Sequence, residues 1–169
     1  MTLLNIRFIR WRTAIFILFS LNSTALIAKD AAGDPINDGT LVLSKTDGSA
    51  SCTIPFKTGI YDFSNNGGGF GCANDDKSEL DLKGVPSATT VYLYDTPDCN
   101  DKKDQNYWIE FKTIKQPTNV TQLKFSKFFD KGNEEVVVPG VMRVDAYHRN
   151  DDSIDGKLSC VKIIRSTMP

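Results

Sequence analysis

With 20 basic and 21 acidic side chains in 169 residues and a formal net charge of −1, this chain carries no excess of positive charge with which to hold a nucleic acid or an anionic membrane surface. Its first 28 residues carry Arg7, Arg10 and Arg12 and no acid, so their removal would leave 17 basic and 21 acidic residues, a net −4. That remainder is long enough for one domain with one core.

Residues 1–28 read as an export signal. The three arginines precede the apolar run AIFILFSL, which is short for a membrane span and is followed by small residues, with Ser23-Thr24-Ala25 or Ala28 as cleavage points. A retained N-terminal anchor is the alternative. Residues 29–39, rich in Ala, Gly, Asp and Pro, read as a flexible arm.

From Thr40 onward short apolar runs alternate with turn residues, and no window of twelve residues has helical periodicity. Strands are expected at 41–43, 53–56, 59–63, 69–72, 80–82, 90–95, 107–114, 121–129, 134–139, 141–147 and 158–164. The class is all-β. A weak repeat places IYDF at 60–63, LYDT at 93–96 and AYHR at 146–149 at strand ends, with SELDL (78–82) and TQLKF (121–125) as closing strands of two units.

All four cysteines, Cys52, Cys72, Cys99 and Cys160, lie beyond the leader. An even number in an exported chain points to two disulfides in an oxidising compartment, secreted or periplasmic. Three pairings are open from sequence. Cys52 with Cys72 and Cys99 with Cys160 is favoured, the first flanking a hairpin and the second tying the C-terminal segment back. Zinc is disfavoured, because no two cysteines have C-x₂-C spacing and His148 is the sole histidine.

The densest stretch of chemistry is Ile60–Leu82, IYDFSNNGGGFGCANDDKSELDL. Gly67, Gly68 and Gly69 tolerate positive φ, so a strand entering at Ile60 could fold over and return through Phe70. Asn74, Asp75, Asp76 and Ser78 then offer hard oxygen donors of the kind calcium takes. With Tyr61 seven residues before Gly68, followed by Asn74-Asp75-Asp76-Lys77-Ser78-Glu79, the stretch resembles the βγ-crystallin motif: an aromatic, six residues, a glycine, then N/D-N/D-x-x-S/T-S. Glu79 departs from the family's second serine. The resemblance spans roughly residues 50–126 and implies a two-motif Greek-key sandwich over 40–131, with 132–169 as a β extension packed on it. In the second unit Asp101 stands where a glycine would follow Tyr94.

The resemblance also implies crosswise calcium sites, in which one motif's acids are completed by the other's hydroxyl. One site would use Asn74, Asp75, a carbonyl near Asp76 and the hydroxyl of Thr121. Its reciprocal would need acids at Pro117 and Thr118, with Ser78 as the hydroxyl, so one calcium of modest affinity is the most this reading allows. The plainer alternative makes 74–78 an acidic turn held by local bonds.

No catalytic constellation emerges. His148 has no evident nucleophile near it in sequence, and Trp108, Phe111, Phe125, Phe128 and Phe129 read as core or hairpin residues. The expectation is a monomeric binding module, not an enzyme. The alternative, also permitted by the resemblance, is a protease-inhibitor-like or toxin-like factor presenting loop 96–106, TPDCNDKKDQN, with Lys102 and Lys103, to a protein partner. Asn119-Val120-Thr121 would accept a glycan in a eukaryotic secretory pathway.

Overall fold

The computed structural model describes residues 38–64, 69–100, 105–149 and 152–166. The expected leader, the expected arm up to residue 37, Gly67, Gly68, Lys102 and Lys103 lie outside the described residues. Among the described residues ten strands form: β1 (Thr40–Ser44), β2 (Cys52–Pro55), β3 (Gly59–Asp62), β4 (Glu79–Val85), β5 (Thr89–Tyr94), β6 (Tyr107–Thr113), β7 (Thr118–Lys124), β8 (Val136–Val138), β9 (Val141–His148) and β10 (Cys160–Arg165). A single turn of 3-10 helix at Phe125–Phe128 follows β7.

The period of two explains the strands. In β6, Tyr107, Ile109, Phe111 and Thr113 are buried while Trp108, Glu110 and Lys112 are partly exposed, which is the pattern of a strand with one face on a core. β1 alternates the same way, burying Leu41 and Leu43. These inner faces, with Ile54, Phe56, Leu80, Leu82, Val91, Leu93, Val161 and Ile163, make one continuous core. On the outer face a smaller cluster forms around Tyr94, Cys99 and Cys160, with Tyr92 and Trp108 packed against it.

The strands pair antiparallel in two sheets, ordered β2-β1-β4-β7 and β3-β10-β5-β6-β9-β8. This order resolves into two units of four strands. The first unit keeps β1, β2 and β4 together and sends β3 to the larger sheet. The second keeps β5, β6 and β10 together and sends β7 to the smaller one. Each unit is thus a Greek key that lends its third strand to the other sheet, and the β8–β9 hairpin is an insertion between the third and fourth strands of the second.

The all-β, two-unit sandwich is as expected, but three local expectations are corrected. Residues 69–72 form a turn rather than a strand, and β3 pairs with β10, not with a return across the glycines. The closing strand of the second unit is β10; residues 121–125 belong to β7 and the turn after it. The C-terminal segment from 132 supplies β8, β9 and β10, and β10 lies inside the larger sheet between β3 and β5.

Both favoured disulfides form, Cys52–Cys72 and Cys99–Cys160, with Cα separations of 5.2 and 5.4 Å. They close loops of 20 and 61 residues, for which loop-closure entropy gives about 3.3 and about 4.3 kcal/mol. A Cys99→Ser/Cys160→Ser protein should therefore be less stable than Cys52→Ser/Cys72→Ser by about 1 kcal/mol in urea unfolding.

Candidate functional site

The two units meet at one end of the sandwich through the loops that precede their closing strands. In the first, Asn74-Asp75-Asp76-Lys77-Ser78 leads into β4; in the second, Asp155-Gly156-Lys157-Leu158-Ser159 leads into β10. Asp75 (φ +51°) and Gly156 (φ +67°) take the same left-handed kink at the second position. The serines are held alike. The N–H of Ser78 donates to Ser44 O at the end of β1, and that of Ser159 to Tyr94 O at the end of β5. Phe125 N–H donates to Ser78 O and Phe63 N–H to Ser159 O, each just past a lent strand.

The loops also bond to each other. Asp75 N–H donates to Leu158 O at 3.1 Å, Ser159 Oγ donates to Asp75 Oδ1 at 3.1 Å, and Gly156 N–H donates to Ser78 Oγ at 2.9 Å. Asn74 Nδ2 donates to Asp75 Oδ2 at 2.9 Å. Oxygen donors from chain segments 84 residues apart are thereby brought side by side.

The sequence-designated residues divide. Asn74 and Asp75 lie at this junction. Asp76 is engaged elsewhere: its carboxylate meets Lys45 Nζ at 2.7 Å and Lys77 Nζ at 3.2 Å, and Lys77 is only 1% exposed. The hydrogen bond from Lys45, aided by Lys77 against the opposing effect of burial, holds the Asp76 carboxyl below its ordinary value. Asp76, Ser78, Lys45, Thr46, Asp47, Asp155 and Gly156 line an open cleft beside the junction. There the Ser49 hydroxyl and backbone N–H hold Asp47, lowering its pKa.

Thr121 is exposed on β7, whose neighbouring residues Val120 and Gln122 pair with Leu82 and bond to Asp81 in the middle of β4. The contacts described for 74–76 come from Lys45, Lys77, Leu158 and Ser159, so the hydroxyl beside Asp75 is that of Ser159. Tyr61 is structural: its hydroxyl donates to Pro55 O and Lys57 O, and its ring meets Phe70 edge-on at 5.4 Å. His148 Nε2 contacts Asp152 O at 2.7 Å, and its ring lies 5.3 Å from Phe129. Loop 96–106 is anchored by Cys99, while its residues 101–104 lie outside the described residues.

The signal that could have located Ser159 is the shared spacing of 74–78 and 155–159. The inserted β8–β9 hairpin hides it by carrying the second loop far from β7. As oxygen donors, Asn74, Asp75 and Ser159 suit a hard cation, whereas the Asp76 carboxylate is taken up by two lysines and Thr121 lies on β7. Among the described residues no three His, Cys, Asp or Glu side chains gather as a metal cluster, so any cation here would depend on neutral oxygens as well.

Next to the junction, Asp95 Oδ2 accepts from Asn106 N–H at 2.7 Å. Burial raises the Asp95 pKa and the negative charge of Asp75 adds to the rise, against the lowering effect of the Asn106 and Tyr107 N–H groups. The phenol of Tyr107 is fully buried and is pushed well up by that burial and by the charges of Asp95, Asp75 and Asp155.

No family model matches this chain, and no curated protein does. Among solved structures it is similar to a bacterial domain. That is the crystal structure of a betagamma-crystallin domain from Flavobacterium johnsoniae, at 12% identity and a TM-score of 0.40, covering 76% of this chain and 98% of that one. A likeness at that level says nothing of ligands or partners.

The lowered pKa of Asp76 fixes the sign of a pH effect. Its stabilisation is present above the unfolded carboxylate value, about 3.9, and is lost as pH falls through the lower folded value. Asp76→Asn, which leaves buried Lys77 without its counter-charge, should lower Tm at pH 7, and the gap from the parent should close in strong acid.

Proposed function

We propose that this chain is an exported, disulfide-braced βγ-crystallin-like binding module, and not an enzyme, which takes one calcium ion where Asn74 and Asp75 meet Ser159. The observation that carries the reading is the 3.1 Å contact between Ser159 Oγ and Asp75 Oδ1, because it joins a carboxylate in the return loop of one unit to the closing hydroxyl in the return loop of the other. Two disulfides call for an oxidising compartment, which is also where calcium is abundant enough for a weak site to fill.

One ion, not two, follows from the differences between the loops. At the reciprocal position Gly156 stands where the first unit has Asp75, and the Lys45 ammonium already neutralises Asp76 in the adjoining cleft. A bound ion would tie the loops before β4 and β10 together and so resist separation of the two units. The chain's own residues hold and orient it; calcium supplies charge that neutralises Asp75.

Calorimetric calcium titration with parallel thermal melts tests this. The oxidised protein should bind one equivalent with Kd in the roughly 10⁻⁴ to 10⁻³ M range of extracellular modules. It should melt higher as calcium passes that concentration. Asp75→Ala and Ser159→Ala should lose both effects, and Thr121→Ala should keep them. No heat and no shift in the parent protein would reduce 74–78 to a structural turn.

A further inference from the structure

Among the described residues, three polar side chains at the start of β6 and the end of β5 have atoms that are buried and unpaired. Gln105 is 2% exposed and neither its amide oxygen nor its amide nitrogen has a partner. Tyr107 is fully buried with its hydroxyl unpaired, and Asp95 Oδ1 is likewise buried and unpaired. Native folds rarely tolerate such atoms without something to bond them.

Asp95 and Tyr107 are neighbours, and Gln105 lies two residues before Tyr107. Tyr94 pairs with Trp108 across β5 and β6, so the next inward positions, Asp95 and Tyr107, are cross-strand neighbours. Asn106, bonded to Asp95 Oδ2, directly follows Gln105. The Ser159 hydroxyl that donates to Asp75 Oδ1 also lies 2.8 Å from Asp95 O, which places the Asp75 carboxylate and the Asp95 main chain within reach of one hydroxyl. The negative charges of Asp95, Asp75 and Asp155 are near enough to act on the buried Tyr107 phenol. Among the described residues neither Asp75 nor Asp95 has an ion-pair partner.

We propose that Asp95 Oδ1 and the amide oxygen of Gln105 are core-side ligands of the same calcium ion, and that the Tyr107 hydroxyl is a positioning group bonded to the ion's inner water. This rests on the calcium reading above and extends its ligand set inward. Water alone could satisfy the unpaired atoms, but it would leave the half-buried Asp95 carboxylate, with the exposed Asp75 carboxylate near it, without a counter-charge. A divalent cation does both. The donors are all oxygen, with no nitrogen or sulfur ligand to favour a transition metal. The mixture of carboxylate, amide and hydroxyl drawn from three chain segments suits calcium's loose coordination better than the strict octahedron of magnesium.

The test is calcium titration of the oxidised full chain and its Gln105→Leu, Tyr107→Phe and Asp95→Asn variants, with melts in chelator and in calcium. Gln105→Leu and Tyr107→Phe each delete a buried atom that is unpaired in the ion-free protein, so the melt in chelator should stay or rise. Their calcium affinity should fall roughly tenfold or more, and Asp95→Asn should abolish the calcium heat. Parent-like affinity in all three variants would mean that only water fills the space, overturning the core-side ligands while leaving the Asn74, Asp75 and Ser159 reading intact. A parent protein that gives no heat would sink both readings. A lower melt in chelator for Gln105→Leu or Tyr107→Phe would show that the deleted atom already has a partner without calcium, and would overturn the inference by itself.

Discussion

The exchange of β3 and β7 between the two sheets is the constraint on which the rest of the molecule depends. Each sheet is completed by a strand from the other unit, so neither unit can bury its apolar face alone. The core side chains of β1, β4, β5, β6 and β10 contribute to one shared interior. The same exchange dictates where chemistry can occur. A chain that has lent its third strand must cross back over the end of the sandwich to place its fourth. The two return loops, 74–78 and 155–159, therefore converge, and each closing serine is pinned by backbone bonds to the first strand of its own unit and to the residue after the other unit's lent strand.

Covalent bonds secure the same end. Cys72 lies two residues before Asn74, and Cys160 directly follows Ser159, so each disulfide fixes one of the two return loops. The Cys99–Cys160 bond also covers the outer face of β5 and β10, where Tyr94 and Trp108 pack against it. The loops that would carry a ligand are thus held on both sides, by a disulfide and by a strand. That is the preorganisation a weak, neutral-oxygen site requires if the ion is not to spend its binding energy ordering the chain.

The all-β class and most strand positions were legible because a period of two leaves a plain trace: Tyr107, Ile109 and Phe111 inward, Trp108 and Glu110 outward. The cysteine pairing was legible because Cys52 and Cys72 flank one local segment. Strand exchange leaves no such trace, since β3 and β7 have the same alternation whichever sheet receives them. Its consequence was the pairing of Asp75 with Thr121, where the structure sets the hydroxyl of Ser159 beside Asp75. The glycine cluster misled for a related reason: flexible residues permit a fold-over hairpin, but β3 gains more by pairing along β10 at the edge of the larger sheet than by pairing with Gly69–Cys72, which has few side chains to bury. Gln105 and Tyr107 could not be singled out at all. A glutamine before an alternating strand is unremarkable until its burial and lack of partners are known.

The difference between the two return loops is where symmetry gives way to function. Their backbones are equivalent to the level of the left-handed kink at Asp75 and Gly156, but the second position carries a carboxylate in one and no side chain in the other. Lys45, from the turn after β1, places its ammonium against Asp76 in the cleft beside Gly156, while on the other side Asp95, from the end of β5, adds a second negative charge beside Asp75. One junction is therefore balanced by the protein's own cation and the other is left electronegative with unpaired oxygens beneath it. A fold that repeats its backbone need not repeat its electrostatics, because a single lysine just after one first strand and a single aspartate just after the other set the charge of each half.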